Sequence, residues 1–286
     1  MQGTGRSDLL TRLRRAWAVA TGRDEFAAPP PAAPASAAPA PAPKPAAPKL
    51  SQAAMLAHPT SLASTLKRLR ANVDEIGTLV CLGSGKGDDA LSFVEQWPGA
   101  RVLLIDMDEN FRPVWDQLAK KMPGLVGEVA ALAEHDGEIG MRKTDRTGGI
   151  ALEGPIDGDA QRIRSVRLDT LIAQHALPPP YFLKFDTHGA ELPILAGAAE
   201  TLRQTAILMM ECYNFKLGFA GGRNLTFDEM SLHLKGMGFR PADLCDPLWR
   251  PGDGLLWQIH LFFLKADHPT FASSSYRAPG RQAQPG

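Results

Sequence analysis

The chain changes from apolar to glycine-rich within the stretch Leu79-Val80-Cys81-Leu82-Gly83-Ser84-Gly85-Lys86-Gly87. Its apolar part predicts a short buried strand over Thr78–Leu82, and the pattern that follows predicts a helix over residues 88–97. Glycines at alternate positions let the backbone approach a ligand closely, because side chains there would collide with it. The start of the helix offers free N–H groups and a partial positive charge. The stretch therefore predicts a nucleotide-binding turn between a strand and a helix.

An acidic residue follows at the place where such a turn needs one. The next predicted strand, Arg101–Asp106, ends in a carboxylate about 20 residues beyond the turn, which is the spacing of the acid that accepts hydrogen bonds from ribose hydroxyls. Asp108 lies close behind it in the sequence and is the alternative acid. We predict that Asp106 binds the ribose of a cofactor and that the turn itself contacts the cofactor through Gly83, Ser84, Gly85 and Gly87.

Strands and helices alternate on both sides of this unit. Helices are predicted over residues 60–71, 110–121, 169–175, 191–203 and 227–236, and strands over 125–132, 181–186, 205–212, 239–244 and 256–264. Glycines at 137, 140, 148 and 149 indicate short hairpin strands before Val166. Such alternation is typical of a mostly parallel sheet covered by helices on both faces, and the two consecutive strands at the end predict an antiparallel hairpin at one edge. The predicted fold class is α/β, doubly wound and Rossmann-like.

A second group of polar residues follows the strand predicted over residues 181–186. Asp186 ends that strand, in the crevice where open α/β sheets bind ligands, and is predicted to contact the cofactor, orient an acceptor hydroxyl or act as a base. His188 has a pKa range suited to removing a proton from a hydroxyl near neutral pH. Glu191, in the first helical turn, favours a structural role. Lys184 is costly to bury without a partner, and Asp186 or Glu211 would provide one.

Glu211 repeats the pattern of an acid near the end of a strand. It is predicted to face the same crevice and to line the pocket of the acceptor, so the catalytic candidates are Asp186, His188 and Glu211. Two carboxylates together could also bind a divalent cation. The spacing identifies no third ligand, however, and no metal is predicted.

The rest of the chain divides by composition. Residues 1–26 contain a basic amphipathic segment with apolar residues at helical spacing, which predicts a short helix. This helix either docks on a partner or on an anionic membrane surface, or it frays or folds back on the domain. Residues 27–49 are mostly Ala and Pro, which predicts an extended linker. The main domain is predicted over residues 50–268. Residues 269–286 are polar and without periodicity, which predicts a disordered tail.

Composition excludes several classes of function. Lys plus Arg and Asp plus Glu both number 31, so there is no basic excess of the kind that nucleic-acid binding requires. The 3 cysteines are widely spaced, which argues against a disulfide framework or a CxxC zinc site and favours a reducing cytoplasmic location. No apolar run is long enough to span a membrane, and arginines stand where a signal peptide would need its apolar core. The expected partner is a small-molecule hydroxyl acceptor.

At these residues the chain resembles the FkbM-type S-adenosylmethionine-dependent methyltransferases. The resemblance covers about residues 78–266 and is most specific in the run Leu183-Lys184-Phe185-Asp186-Thr187-His188-Gly189-Ala190-Glu191-Leu192. It also includes the segments Val80 to Gly87, Val129-Ala130-Ala131-Leu132, Val166-Arg167-Leu168-Asp169-Thr170-Leu171, and Gly254-Leu255-Leu256-Trp257-Gln258, together with Glu211.

The resemblance implies a class I methyltransferase architecture, with seven strands and a reversed last strand. It implies S-adenosylmethionine as the cofactor, with Ala131 and Asp186 among its contacts, and transfer of a methyl group, usually to oxygen. The chain departs from the family pattern at two positions. Cys81 stands where such enzymes commonly carry an acid that helps to hold the methionine end of the cofactor, and His260 stands where an Asp is frequent.

Two other functions fit parts of the sequence. A dinucleotide-dependent oxidoreductase would use the same glycine turn and the same Asp106, although the residues around Asp186 argue against it. A non-catalytic interaction module could keep the fold and be tethered through the Pro/Ala linker. The function predicted here is methylation of a hydroxyl on a small metabolite or glycan.

Overall fold

The computed structural model describes residues 59–142, 150–152, 161–217 and 224–276. The predicted N-terminal helix and the Pro/Ala linker lie outside these residues. The helices are α1 (Leu62–Arg70), α2 (Ala90–Gln96), α3 (Arg112–Ala119), α4 (Leu168–Gln174), α5 (Glu191–Ala196), α6 (Ala199–Arg203) and α7 (Phe227–Gly236). The strands are β1 (Thr78–Leu82), β2 (Arg101–Asp106), β3 (Leu125–Val129), β4 (Ala131–Leu132), β5 (Gly137–Arg142), β6 (Ile150–Leu152), β7 (Gln161–Val166), β8 (Tyr181–Phe185), β9 (Thr205–Tyr213), β10 (Phe239–Trp249) and β11 (Leu256–Lys265).

The main sheet has seven strands in the order β10-β11-β9-β8-β1-β2-β3. The pairs among β1, β2, β3, β8 and β9 are parallel, whereas β11 runs antiparallel to both of its neighbours. This order places β1 and β8 side by side in the centre, so their carboxyl ends meet at one edge of the sheet. The prediction of a doubly wound, mostly parallel sheet with a C-terminal antiparallel hairpin is confirmed.

The central strands are buried on both faces, which explains their continuous apolar sequences. Side chains alternate between two cores: Leu183 and Phe185 of β8 join one, and Phe182 joins the other. Phe182 packs edge-to-face against Phe93 of α2, with ring centroids 4.8 Å apart, and against Trp97 at 5.7 Å. These two layers of packing hold the carboxyl ends of β1 and β8 in place.

A second, four-stranded sheet has the order β4-β7-β5-β6. The single strand predicted over residues 125–132 is therefore wrong at its end. The Ala130 N–H donates to the Asp106 carbonyl at the tip of β2 (3.0 Å), and the chain then leaves the main sheet so that Ala131 pairs with Ser165 of β7. The short strand predicted around Gly137 and Gly140 belongs to this second sheet, whereas Gly148 and Gly149 lie outside the described residues.

The single helix predicted over residues 191–203 is in fact two helices, α5 and α6. At the break, a Cβ on Gly197 would lie 2.2 Å from the Ala133 carbonyl oxygen, so the chain there packs against the loop after β4. The Asp169 carboxylate accepts hydrogen bonds from the backbone N–H groups of Glu200 and Thr201 at the start of α6. A side chain from another helix therefore caps α6, which the local pattern does not reveal.

Near the C-terminus, the structure differs from the sequence prediction at the end of β10 and at the start of the predicted tail. Strand β10 continues to Trp249, beyond the predicted end at residue 244. At the start of the tail predicted over residues 269–286, Pro269–Phe271 forms a 3₁₀ turn, and the disordered tail itself stays a prediction. The Phe271 ring lies under the Arg240 guanidinium, 4.3 Å from its Cζ, which anchors the turn. None of the described helices has the length and apolar character that spanning a bilayer requires.

Candidate active site

The three glycines of the turn after β1 have positive φ angles, but they serve different purposes. A Cβ on Gly83 would lie 2.0 Å from the Asp186 carbonyl oxygen, and one on Gly87 would lie 2.7 Å from Leu104 Cδ1. Gly83 therefore permits the close approach of β1 and β8, and Gly87 permits packing on β2. A Cβ on Gly85 would meet nothing within 4 Å. Of the three, Gly85 is the one that borders open space.

Two substitutions separate these purposes. Gly83→Ala is expected to lower the free energy of unfolding by about 2–5 kcal/mol, because the methyl group collides with backbone at a left-handed φ of 71°. Gly85→Ala is expected to lower the free energy of unfolding by only about 1–2 kcal/mol, the cost of a left-handed φ for alanine. Its main effect should be weaker binding of S-adenosylhomocysteine, the demethylated form of the predicted cofactor. Urea denaturation and calorimetry of both variants measure the two effects. Equal losses of stability would contradict this division.

The turn is held from two sides. The Gly85 N–H donates to Asp106 Oδ2 (2.9 Å), and the Gly85 carbonyl accepts from Trp115 Nε1 of α3 (2.8 Å). The Ser84 N–H donates to the Ile105 carbonyl (2.9 Å), while its Oγ is buried without a hydrogen-bond partner. The predicted contact of Ser84 with a cofactor would therefore require its hydroxyl to turn outwards.

Asp106 lies beside Gly85, as a ribose-binding acid should. Its Oδ1 accepts from the Asp108 N–H (3.0 Å), and each carboxylate oxygen keeps further acceptor capacity. Burial raises the pKa of Asp106, and the backbone N–H donors oppose this shift. The rival acid Asp108 instead accepts from the Asn110 N–H and caps the following 3₁₀ turn. The geometry favours Asp106 over Asp108.

Lys184 is the central cation of the site. Its side chain is 7% exposed, and its Nζ lies 2.7 Å from Asp89 Oδ2 and 3.2 Å from Asp186 Oδ2. Burial disfavours the charge, but the two carboxylates outweigh this cost and raise the pKa of Lys184. Asp186 is one of the two partners predicted from the sequence. Asp89 was missed, because it comes from the start of α2 and nothing in its own surroundings indicates a buried partner.

Glu211 and Asp186 form a carboxyl pair. Glu211 Oε1 accepts from the Tyr213 hydroxyl (3.0 Å) and from Gln258 Nε2, and its buried Oε2 has no donor. Burial and the Asp186 carboxylate raise the pKa of Glu211 to about 9. Burial also opposes ionisation of Asp186, but the hydrogen bond from Glu211 and the charge of Lys184 lower its pKa to about 2. The two opposite shifts favour a state in which Glu211 carries the proton and donates a hydrogen bond to an ionised Asp186.

This pair makes stability depend on pH. The folded state holds the Glu211 proton more tightly than the unfolded state, whose pKa is near 4.5. The resulting stabilisation is complete below that value and is lost as the pH rises towards about 9. Glu211→Gln keeps a hydrogen-bond donor towards Asp186 but has no proton to lose. In this variant the decrease in stability with rising pH should therefore disappear. Free energies of unfolding measured between about pH 4.5 and pH 9 test this expectation. The control is Glu138→Gln, which replaces an exposed carboxylate. Parallel pH profiles for wild type and Glu211→Gln would refute the assignment.

His188 completes the group. Its backbone has a left-handed φ of 51°, which is unfavourable for a residue other than glycine and is often found at functional sites. Its Nε2 lies 3.7 Å from Asp186 Oδ1 and 3.5 Å from Glu211 Oε2. The Glu191 carboxylate accepts from the Gly189 N–H (2.8 Å) and the Thr187 hydroxyl (3.2 Å), so Glu191 holds this turn, in line with the structural role predicted for it.

The structure brings the three catalytic candidates together. One ligand atom from each of Asp186, His188 and Glu211 lies within 4.8 Å of the others, so His188 is the third donor that the spacing in the sequence did not identify. Two carboxylates and an imidazole suit a divalent cation as well as a shared proton. The prediction of no metal stays a prediction. Ala131, predicted to contact the cofactor, is 1% exposed, which leaves its side chain little surface for such a contact.

Aromatic side chains extend from His188 towards the surface. The His188 ring centroid is 6.5 Å from that of Tyr213, which packs edge-to-face on Trp257 at 6.1 Å. Trp257 stacks on Phe215 at 5.4 Å, and the Arg250 guanidinium covers Phe215 at 4.2 Å. We call Tyr213, Phe215 and Trp257 the aromatic wall. Nothing in the sequence periodicity indicated that these residues from β9, β11 and the segment after β9 would meet.

The site combines a glycine turn after β1, an acid at the tip of β2 and polar groups at the ends of β8 and β9. This combination is typical of α/β enzymes that bind a nucleotide cofactor. Residues 82–241 match the model of the methyltransferase FkbM domain, and this match spans more than half of the chain. The chain therefore belongs to the FkbM methyltransferase family. The family confirms the resemblance described above, and with it the predicted cofactor, S-adenosylmethionine. The sheet order confirms the predicted class I methyltransferase architecture.

Solved structures with a similar chain trace are distant in sequence. EvdMO1 is 11% identical, with a TM-score of 0.41, over 71% of this chain and 40% of that one. A SAM-dependent methyltransferase from Aquifex aeolicus is 15% identical, with a TM-score of 0.37, over 76% of this chain and 100% of that one. A putative RNA methyltransferase from Pyrococcus horikoshii is 14% identical, with a TM-score of 0.38, over 71% and 82%. The chain thus spans less than half of EvdMO1. No curated protein matches it in sequence.

Proposed function

We propose that this methyltransferase transfers a methyl group to a hydroxyl oxygen of a small metabolite or glycan. The observation that carries the proposal is the position of His188, which lies between two carboxyl groups and next to the aromatic wall. A base is of use when the acceptor atom is a hydroxyl, because the oxygen must lose a proton when it receives the methyl group.

The residues present fit the cofactor. Gly85 leaves room where a side chain would intrude, and Asp106 offers carboxylate lone pairs beside it. When bound, S-adenosylmethionine supplies a methyl group on a positively charged sulfonium. Asp106 would accept hydrogen bonds from the ribose hydroxyls, and the ionised Asp186 would provide negative charge in the crevice near the methionine end.

Cys81 does not prevent this arrangement. It is 3% exposed and pairs with Lys184 across the β1–β8 ladder, so its thiol faces the protein interior, where burial raises its pKa to about 12. Lys184, next to Cys81 in the ladder, has an acidic partner in Asp89 at the start of α2. We propose an active enzyme over a non-catalytic module with the same fold.

His188 is the proposed general base. The imidazole would accept the proton of the acceptor hydroxyl, and the ionised Asp186, 3.7 Å from its Nε2, would stabilise the imidazolium that results. Glu211, held neutral, would keep Asp186 in position by hydrogen bonding. Much of the remaining rate would come from alignment of the oxygen with the methyl group, because this displacement needs in-line geometry.

The aromatic wall is the proposed acceptor surface. All three residues of the wall are partly exposed, and Tyr213 lies next to His188. Their flat apolar faces suit the ring of a sugar or of an aromatic metabolite, with the reactive hydroxyl directed at the imidazole. The cytoplasmic location and a protein partner for residues 1–49 remain predictions from the sequence.

Methyl transfer to a panel of acceptors tests the proposal. The full-length protein, supplied with S-adenosylmethionine carrying a labelled methyl group, is expected to methylate sugar or phenolic hydroxyls to a base-stable product. Trp257→Ala should raise KM for the acceptor more than it lowers kcat, whereas replacing the exposed Trp249 in the same hairpin should change neither. Label found only on nitrogen or carbon acceptors would overturn O-methylation while leaving the methyltransferase class intact.

A further inference from the structure

The β10–β11 hairpin contains a second group of side chains of the types that bind metal ions. Cys245 and His260 are paired across this antiparallel ladder, so their side chains lie next to each other on one face of the sheet. Asp246 follows Cys245 at an irregularity in the ladder and has a left-handed φ of 46°. One ligand atom from each of the three residues lies within 4.8 Å of the others.

His260 carries an unexplained polar atom. Its Nδ1 is buried and has no hydrogen-bond partner, although buried polar groups in folded proteins almost always have one. Metals coordinate imidazole through a ring nitrogen of its neutral form. Coordination at Nδ1 would give this atom the partner that it lacks.

The donor set decides the kind of cation. A thiol, an imidazole and a carboxylate are the ligands of zinc and of related first-row transition metals, whereas magnesium and calcium prefer oxygen alone. We propose that Cys245, Asp246 and His260 bind a zinc-class divalent cation. Binding converts the Cys245 thiol into a thiolate and releases its proton to solvent. Cys245 is buried, His260 is partly buried and Asp246 is exposed, so a water molecule would serve as the fourth ligand.

The consequence would be structural. The Asp246 N–H donates to the Thr60 carbonyl (2.7 Å), and Thr65 of α1 donates through its hydroxyl to the Leu244 carbonyl (3.0 Å). A cation here would therefore stiffen the part of the hairpin that holds the residues leading into α1. Because His260 also lies opposite Glu211 in the β9–β11 ladder, the cation would support the strand next to the catalytic group. Metal binding at this site is independent of the methyltransferase reaction.

Cobalt titration tests the site directly. The full-length protein is freed of metal with a chelator and titrated with Co²⁺, and a thiolate-to-cobalt charge-transfer band is expected to saturate at about one equivalent and to disappear on addition of Zn²⁺. Cys245→Ala should abolish the band. The matched control is Cys212→Ala, a buried cysteine in the other core of the sheet, which should keep it. Cobalt bound to Asp186, His188 and Glu211 would give no thiolate band, so the two groups are distinguished.

A second variant covers the case in which Cys245→Ala does not fold. Asp246 is exposed, so Asp246→Asn should remain folded and weaken Co²⁺ affinity at least about tenfold, in line with the loss of one charged ligand. Absence of the band in folded wild-type protein would overturn the proposal. So would a band that persists in Cys245→Ala, or an affinity that Asp246→Asn leaves unchanged.

Discussion

Replacing Lys184 with Met is expected to lower the free energy of unfolding by about 3 kcal/mol, the low end of the cost of removing one partner of a buried ion pair, because the partly buried Asp186 loses its cation while water solvates the more exposed Asp89. The Lys184 side chain is 7% exposed and its ammonium separates Asp89 from Asp186. Without it, the Asp186 carboxylate loses the cation that keeps it ionised and faces Asp89 directly. Met has about the same length and leaves no large cavity, so the loss reports on charge.

Urea denaturation at neutral pH measures this loss. The control is Lys216→Met, which removes an ion pair with Glu229 whose side chains are 44% and 45% exposed. Exposed pairs contribute about 0–1 kcal/mol, so this variant should change the midpoint little. A double variant, Lys184→Met with Asp89→Asn, should recover part of the stability because it removes one unpaired carboxylate. Similar losses in the two single Lys variants would show that Lys184 is not the charge centre of the site.

His188→Gln is expected to lower kcat by about 10²–10⁴, the usual contribution of a positioned general base. Its affinity for S-adenosylhomocysteine should remain near that of the wild type, because the glycine turn and Asp106 are untouched. The remaining activity should rise with pH as the acceptor hydroxyl ionises without help. Single-turnover rates and calorimetry on the same preparation separate the two effects.

His135→Gln is the matched control, since its side chain is 84% exposed and lies in the loop after β4. This variant should keep wild-type turnover. If His188→Gln also lost the cofactor, the residue would belong to the binding site and not to the proton-transfer step. Full activity in His188→Gln would remove the imidazole from the mechanism altogether.

The sequence predicted those elements whose boundaries are marked by local chemistry. Strands β1 and β2 begin and end as predicted, because continuous apolar runs stop abruptly at glycine or aspartate. Helix α7 also has its predicted bounds, since Thr226 and Glu229 form a capping box at its start. The acids at the ends of β2 and β8 could be found because parallel strands bring their carboxyl ends to one edge.

Features that depend on contacts between distant residues could not be predicted. The break between α5 and α6 arises from the packing of Gly197 on a loop, and the partner of Lys184 comes from another element of the fold. The protonation of Glu211 depends on its burial, which no spacing in the sequence expresses. Likewise, Cys245 and His260 appeared unrelated until the hairpin ladder placed them opposite each other.

Calorimetric titration of the full-length protein with S-adenosylhomocysteine and, separately, with NAD tests the central claim most directly. The account predicts saturable binding of S-adenosylhomocysteine at one site per chain, a loss of about 10–100-fold in affinity for Asp106→Ala, as expected when a charged hydrogen-bond acceptor is removed, and no binding of NAD. Failure of S-adenosylhomocysteine to bind at millimolar concentration, or unchanged affinity in Asp106→Ala, would contradict the cofactor site described at the glycine turn.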